Sequence, residues 1–201
     1  MIHTIAITGG PCAGKTTVMD ALRETYGDRL LFMPEVPTIL FTGGFPRPGI
    51  DVAYSDKWFW DFQEAVISTQ RSMEAQYRIM ADERKVDALI FDRGLIEGAA
   101  YVPGGEQGYY DRFKISVPET YSRYGLIIHL QSVATCRPEL WDSLKDVGAL
   151  RYETLEEAQE RDRRIKKVWG DHPNWYEISG KDGVVQVVEQ TMGLVEKYLA
   201  S

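Results

Sequence analysis

Short runs of apolar residues, many of them β-branched, alternate along this chain with longer segments whose apolar residues have helical spacing. The runs predict five strands, at residues 3–8, 30–33, 86–91, 125–130 and 175–178. The longer segments predict helices at 17–23, at 56–84, from Thr154 onward and at 182–199. Apolar strands that alternate with helices are typical of a parallel sheet with helices on both faces.

The first predicted strand leads into a glycine-rich loop with the sequence Gly9-Gly10-Pro11-Cys12-Ala13-Gly14-Lys15-Thr16. This sequence fits G-x-x-x-x-G-K-[ST], the Walker A phosphate loop, and it has the required strand–loop–helix context. Backbone N–H groups there can converge on the β-phosphate of a nucleoside triphosphate. We expect Lys15 to reach the β- and γ-phosphates and the Thr16 hydroxyl to bind Mg²⁺. The whole expected nucleotide-binding set is Gly10, Pro11, Cys12, Ala13, Gly14, Lys15, Thr16 and Thr17; the alternative is a simple glycine turn.

Charged residues follow two other predicted strands, and ligands of parallel sheets bind at the carboxyl ends of the strands. Asp92 follows the third strand, where a Walker B carboxylate would hold Mg²⁺, and Arg93 beside it would neutralise a transferring phosphoryl group. Glu35 follows the second strand, where it would accept the proton of an attacking hydroxyl or hold Mg²⁺ through water. The alternatives are a helix-capping Asp92 and a solvated Glu35.

The segment at 37–84 is expected to lie on the acceptor side. Residues 40–56 form a Gly- and Pro-rich loop, and a loop of this length in a compact domain is usually functional or mobile. The helix after it carries Trp58, Phe62 and Gln63. An aromatic ring can stack on a planar substrate while the glutamine amide hydrogen-bonds its edge. Packing in the core is the alternative for these aromatic residues.

A lid is expected at 137–164, a segment that carries Arg137, Arg151, Arg161, Arg163 and Arg164. The last three arginines follow a capping box at Thr154 and alternate with acidic residues at helical spacing, which is typical of a solvated helix face. Arg151 precedes that helix, and it is therefore the better candidate for a lid arginine that stabilises the transferred group.

Composition and charge indicate what kind of protein this is and which partners it is not expected to bind. With 201 residues, 44% hydrophobic and 26% charged, we expect one folded domain at 1–201. A net charge of −7 argues against binding to nucleic acid or an anionic membrane. No apolar run approaches about 18 residues, and the first strand begins at once. We therefore expect a cytoplasmic protein, monomeric or homodimeric, without a membrane span or a signal peptide.

The three histidines, at 3, 129 and 172, have no partner at metal-binding spacing.

Together these motifs resemble those of P-loop kinases of small metabolites, specifically nucleoside and nucleotide kinases. Pro34-Glu35 is similar to the segment that carries the catalytic base of deoxynucleoside kinases, and Phe62-Gln63 to their base-reading helix. Asp92-Arg93 is similar to the Asp-Arg pair of thymidylate kinases. The chain resembles still more closely an AAA-type ATPase family that contains the ribosylnicotinamide kinase domain. That resemblance rests on four segments in order: Gly9–Thr17, Asp92–Gly94, Arg151–Ala158 and His172-Pro173.

The resemblance implies a three-layer P-loop sandwich of about five parallel strands in the order 2-3-1-4-5, with a lid. It implies transfer of the γ-phosphate of ATP, with Mg²⁺, to a small nucleoside-like acceptor; GTP is an alternative donor. A second hypothesis is a nucleotide-dependent switch that hydrolyses ATP or GTP slowly and acts on a protein partner. The Asn-Lys-x-Asp guanine motif of small GTPases is not found in the chain. A third is a nucleotide-binding protein that lacks an acceptor site.

Overall fold

A parallel sheet forms the centre of the protein in a computed structural model that describes residues 2–102, 105–145 and 153–201. Its strands are β1 (His3–Gly9), β2 (Leu30–Met33), β3 (Ala88–Asp92), β4 (Leu126–Leu130) and β5 (Trp175–Ile178). They lie in the order β2-β3-β1-β4-β5, and every neighbouring pair is parallel. The predicted α/β class and strand order are confirmed.

Helices connect the strands and lie against both faces of the sheet. They are α1 (Lys15–Tyr26), α2 (Val36–Thr42), α3 (Asp56–Arg84), α4 (Gln107–Phe113), α5 (Val117–Tyr121), α6 (Val133–Cys136), α7 (Trp141–Lys145), α8 (Leu155–Trp169) and α9 (Val184–Leu199). Short 3-10 helices are formed by Gly27–Arg29, Glu97–Tyr101 and Pro138–Leu140. No helix in the described ranges is both long and apolar enough to cross a membrane.

The two faces of the sheet have separate hydrophobic cores because successive strand residues point in opposite directions. Ile5 and Ile7 of β1 are buried in the core that α1 and α9 cover, whereas Ala6 is buried in the core shared with α3 and α8. Because both faces are covered, the central strands carry mainly apolar residues. In β5, at the edge of the sheet, Tyr176 and Glu177 are exposed.

Helix α3 has the bounds that its sequence predicts. Ser55 caps its first turn, and the Ser55 hydroxyl accepts a hydrogen bond from the Trp58 N–H at 3.1 Å. The helix ends where Lys85 adopts a left-handed conformation with φ 53°. The predicted capping box of α8 is also present, with Thr154 and Glu157 exchanging hydrogen bonds.

The segment after β2 departs from the prediction of a loop beginning at residue 40. Residues 36–42 form α2, in which Pro37 lies in the first turn. Proline is tolerated there because the first N–H groups of a helix have no partner within it. The loop is therefore shorter, at 43–55, and contains an isolated bridge between Pro48 and Val52.

Candidate active site

The phosphate loop joins the carboxyl end of β1 to the first turn of α1. A Cβ built on Gly9 would lie 2.3 Å from the Leu130 carbonyl oxygen, so the first glycine of the motif is required by close packing on β4. Gly14 caps α1 in a left-handed conformation, with φ 83°. The Lys15 Nζ lies 3.4 Å from the Gly9 carbonyl oxygen, across the loop. The Lys15 side chain therefore lies back across the loop toward its first glycine.

Parallel pairing brings the other predicted strand-end residues to this loop. Ile7 pairs with Asp92 across β1 and β3, and Met33 of β2 pairs with Phe91, so Glu35 follows at the same edge of the sheet. The Lys15 ammonium interacts electrostatically with both carboxylates; burial and the charge of Arg93 nevertheless lower its pKa. The structure thus places the four predicted charged side chains, those of Lys15, Glu35, Asp92 and Arg93, in one cleft.

The Asp92 carboxylate fits a metal ligand. Its Oδ1 atom is buried and accepts no hydrogen bond from the described residues, and burial raises the pKa of Asp92. A buried carboxylate oxygen without a partner is unfavourable unless another ligand satisfies it. Magnesium is usually bound by one or two carboxylates together with phosphate oxygens and water. Thr16 is exposed in the first turn of α1, as a hydroxyl ligand would need to be. The described residues contain no group of three His, Cys, Asp or Glu side chains that could hold a metal by themselves.

Arg93 lies between two carboxylates. Its Nε donates to Glu35 Oε1, and its Nη1 donates to Glu97 Oε1 at 2.7 Å. Arg93 reaches both because its backbone turns to φ 73° directly after β3, while its N–H still donates to the Ile7 carbonyl oxygen at 3.1 Å. A non-glycine residue in this left-handed region is strained, and such strain is concentrated at functional sites. Glu97 was not predicted; its only signal in the sequence is the i,i+4 spacing from Arg93.

The Glu35 carboxylate is held ionised by its neighbours. Burial raises the pKa of Glu35, but the charges of Arg93 and Lys15 and a hydrogen bond from Thr38 outweigh it and lower the pKa to about 2. The Thr38 hydroxyl binds Oε2 while Arg93 binds Oε1, so the orientation of the carboxylate is fixed.

A cavity of about 360 Å³ extends from Glu35 and Arg93 along α3. It is lined by Glu35, Pro37, Phe41, Tyr54, Trp58, Phe59, Phe62, Gln63, Val66, Gln70, Arg93, Gly94, Leu95, Glu97, Gly98, Tyr101 and Arg161. The predicted substrate-binding side chains, Trp58, Phe62 and Gln63, therefore share one cavity with Glu35 and Arg93.

The aromatic side chains of this cavity are also packed on one another. The Phe62 ring stacks on those of Trp58 and Phe41, at centroid distances of 5.2 and 4.6 Å. The Trp58 indole N–H donates to the Pro46 carbonyl oxygen at 2.9 Å and fixes the loop at 43–55 against α3. Packing and cavity formation, which the sequence presents as alternatives, occur together here.

Gln63 offers an unused polar atom inside the cavity. Only 6% of its surface is exposed, and its Oε1 has no hydrogen-bond partner among the described residues. A Cβ on Gly98 would lie 2.6 Å from this oxygen, so the absence of a side chain at Gly98 keeps the surroundings of the amide open.

Helix α8 departs from the predicted solvated face at two positions. Arg163 and Arg164 pair with Glu160, as expected, but Arg161 lies over the Tyr101 ring at 4.6 Å and lines the cavity. Asp162 is 3% exposed and accepts a hydrogen bond from the Gly10 N–H at 3.0 Å. The Gly10 N–H is therefore already occupied by a hydrogen bond within the protein. Arg151, the predicted lid arginine, lies outside the described residues.

Comparisons with known proteins agree with this architecture. A family model described as an AAA domain matches residues 4–185. No curated protein sequence matches the chain. Among solved structures, thymidylate kinase from Candida albicans is 16% identical with a TM-score of 0.68, covering 98% of this chain and 94% of that one. Deoxyadenosine kinase from M. mycoides with bound dATP is 16% identical with a TM-score of 0.63, covering 96% of this chain and 100% of that one. The likeness shows that the fold is that of P-loop kinases.

Proposed function

The chain belongs to the AAA domain family, and on that premise we propose that it is a kinase that transfers the γ-phosphate of ATP to a hydroxyl group of a small nucleoside-like metabolite. The observation that carries the proposal is the cavity of about 360 Å³ that begins at Glu35 and Arg93 and ends among the aromatic residues of α3. A nucleotide hydrolase needs space for a water molecule only, whereas this cavity accommodates an organic acceptor beside the phosphate loop.

On the donor side, the backbone N–H groups at 12–17 and the Lys15 ammonium bind the triphosphate. Positive charge at a helix N-terminus and a lysine at the β- and γ-phosphates stabilise the charge of the donor. Thr16 and Asp92 would hold Mg²⁺. The ion, when bound, neutralises charge on the β- and γ-phosphate oxygens.

On the acceptor side, Glu35 accepts a hydrogen bond from the attacking hydroxyl group and orients its oxygen. With a pKa of about 2, Glu35 is ionised at neutral pH but is a weak base. A weak base suffices because phosphoryl transfer passes through a loose transition state and depends chiefly on positioning and charge stabilisation. Arg93 lies beside Glu35 and supplies positive charge where the phosphoryl group is transferred.

The charges of the cavity favour an acceptor hydroxyl over an acceptor phosphate. Two arginines line the described part of the cavity, and both already have acidic partners. Arg93 is paired with Glu35 and Glu97, and Arg161 is paired with Glu153 at 2.6 Å. A phosphate group carries nearly two negative charges at neutral pH, so it would have to displace carboxylates from these arginines. An uncharged riboside would leave the pairs intact. Arg151 stays our candidate for a lid arginine that stabilises the transferred group.

The proposal is tested by measuring ADP release from Mg-ATP with a panel of nucleosides, other ribosides and their monophosphates, with mass spectrometry of the product. We expect one uncharged class of compound to stimulate ADP release and to gain one phosphoryl group. Stimulation by monophosphates alone would show that our choice of acceptor is wrong. Slow ADP release that no acceptor stimulates would favour the nucleotide switch over the kinase.

A further inference from the structure

Asp162 of α8 is a buried acceptor at which three segments of the chain meet. Its Oδ1 accepts the N–H of Gly10 in the phosphate loop at 3.0 Å and the N–H of Ser132, after β4, at 3.2 Å. Its Oδ2 accepts the hydroxyl of Thr135 in α6 at 2.8 Å. Both oxygens are thus used, and the proposed mechanism gives this carboxylate no task.

A second contact closes the arrangement around the loop. The Ser132 hydroxyl donates to the Pro11 carbonyl oxygen, next to Gly10. A Cβ on Gly10 would lie 2.7 Å from Asp162 Oδ1 and 3.0 Å from the Ser132 Cβ. The start of the phosphate loop is therefore held at two points: Asp162 binds the N–H of Gly10, and Ser132 binds the carbonyl oxygen of Pro11.

Asp162 is an ionised carboxylate in this setting. Burial raises the pKa of Asp162, but the nearby His129 ring and the hydrogen bonds from Thr135 and Ser132 outweigh burial and lower the pKa below its ordinary value. The His129 Nε2 is 3.3 Å from Oδ1, and His129 is completely buried in β4. Hydrogen bonds to a charged acceptor are roughly twice as strong as neutral ones, so these bonds hold the loop firmly.

Arg161, the residue before Asp162 in α8, faces the proposed acceptor cavity. Arg161 lines the proposed acceptor cavity, stacked on Tyr101, while Asp162 contacts the phosphate loop. Two successive residues of one helix therefore touch the acceptor side and the donor side. A shift of α8 that moves Arg161 in the acceptor cavity must therefore also move the contact of Asp162 with the phosphate loop.

We propose that Asp162 is a positioning residue that fixes the phosphate loop in its nucleotide-binding shape and couples that shape to the position of α8. The inference rests on the proposed function only in taking the loop as a nucleotide site. Loss of the carboxylate charge weakens the bonds to Gly10 and Ser132, so the loop samples other shapes in the absence of nucleotide. Affinity then falls because only a fraction of the molecules can bind.

The test compares wild type with Asp162→Asn and with Glu156→Gln, which changes an exposed carboxylate on the same helix. The dissociation constant of Mg-AMP-PNP is measured by calorimetry, and hydrogen–deuterium exchange is followed at residues 8–14 and 155–169. For Asp162→Asn we expect an affinity about 10-fold weaker, faster exchange at 8–14 without nucleotide, and loss of the nucleotide-induced protection at 155–169. We expect Glu156→Gln to match wild type in all three.

Thr135→Val keeps the side-chain shape and removes one hydrogen bond at an exposed position, so it provides a readout if Asp162→Asn does not fold. We expect it to weaken Mg-AMP-PNP binding by a few-fold and to speed exchange at 8–14.

A folded variant of Asp162 or Thr135 with a lower melting temperature but wild-type affinity and exchange would overturn the inference. A wild-type protein that binds no nucleotide would overturn the proposed function, and exchange at 8–14 without nucleotide would still decide whether Asp162 orders the loop.

Discussion

Arg93 Nε donates a hydrogen bond to Glu35 Oε1 and so joins two residues that lie 58 positions apart in the chain. The pair lies where the proposed acceptor cavity meets the phosphate loop, because β2 and β3 are parallel neighbours that end at the same edge of the sheet. As a consequence, the Glu35 carboxylate stays ionised and fixed in direction beside Lys15 of the phosphate loop.

Replacement of Lys15 by alanine should weaken Mg-ATP binding by about 10- to 100-fold, since a hydrogen bond to a charged group contributes about 1.5–3 kcal/mol. Stability should not fall, because burial lowers the pKa of Lys15 and its charge is therefore unfavourable in the folded protein. Calorimetry and thermal unfolding measure the two effects. Lys57→Ala, at an exposed position of α3, is the matched control. Unchanged affinity for Mg-ATP in folded Lys15→Ala would show that the loop does not bind the nucleotide as proposed.

Asp92→Asn should abolish most Mg²⁺-dependent turnover and leave the melting temperature at pH 7 unchanged or raised. The physical reason is the sign of the pKa shift: burial raises the pKa of Asp92 above its ordinary value of 3.8. The ionised form is thus less favourable in the folded than in the unfolded chain, and asparagine removes that cost. If the variant unfolds while its folded fraction turns over normally, Asp92 is a structural cap.

Glu35→Gln should lower turnover by roughly 10²–10⁴-fold if Glu35 orients or deprotonates the acceptor hydroxyl, with little change in the affinity for ATP. Glutamine keeps the size of the side chain but lacks the negative charge that attracts the hydroxyl proton. Steady-state kinetics with the identified acceptor gives the turnover, and calorimetry with Mg-AMP-PNP gives the affinity. Near-normal turnover would show that Glu35 has no part in the reaction and that Arg93 and the bound ion contribute most to catalysis.

The stability of the protein should depend on Glu35 at acidic pH. Because the folded-state pKa is depressed from 4.5 to about 2, ionised Glu35 contributes stability above pH 4.5 that is lost as the pH falls toward 2. The full contribution is on the order of 3 kcal/mol. Urea unfolding between pH 6 and pH 3 should show a shallower loss of stability for Glu35→Gln than for wild type. Asp61→Asn, at an exposed ion pair of α3, should follow the wild-type profile.

Gln63→Met should raise the KM of the acceptor and leave the KM of ATP unchanged. Methionine has a similar volume but cannot hydrogen-bond the acceptor, and the Gln63 Oε1 has no partner among the described residues that would be lost. Gln76→Ala, at an exposed position of the same helix, should alter neither constant. A change confined to the KM of ATP would place this helix on the donor side.

The sequence alone predicted the features that depend on local patterns. Short, mainly apolar runs predicted the five strands, and the Walker A motif placed the loop from Gly9 between β1 and α1. Because ligands of a parallel sheet bind at its carboxyl edge, the sequence also predicted that Glu35 and Asp92 would share a cleft with Lys15, as they do in the structure.

Only the tertiary structure decided what the charged residues of α8 contact. Asp162 falls on the same helix face as the buried Ala158, Ile165 and Trp169, but helical spacing does not show which groups its carboxylate meets. Packing of α8 against β1 and against the 3-10 helix Glu97–Tyr101 turns Asp162 to Gly10 and Arg161 to the cavity, and leaves Arg163 in solvent. Contacts between residues about 150 positions apart are set by this packing, and no local pattern specifies them.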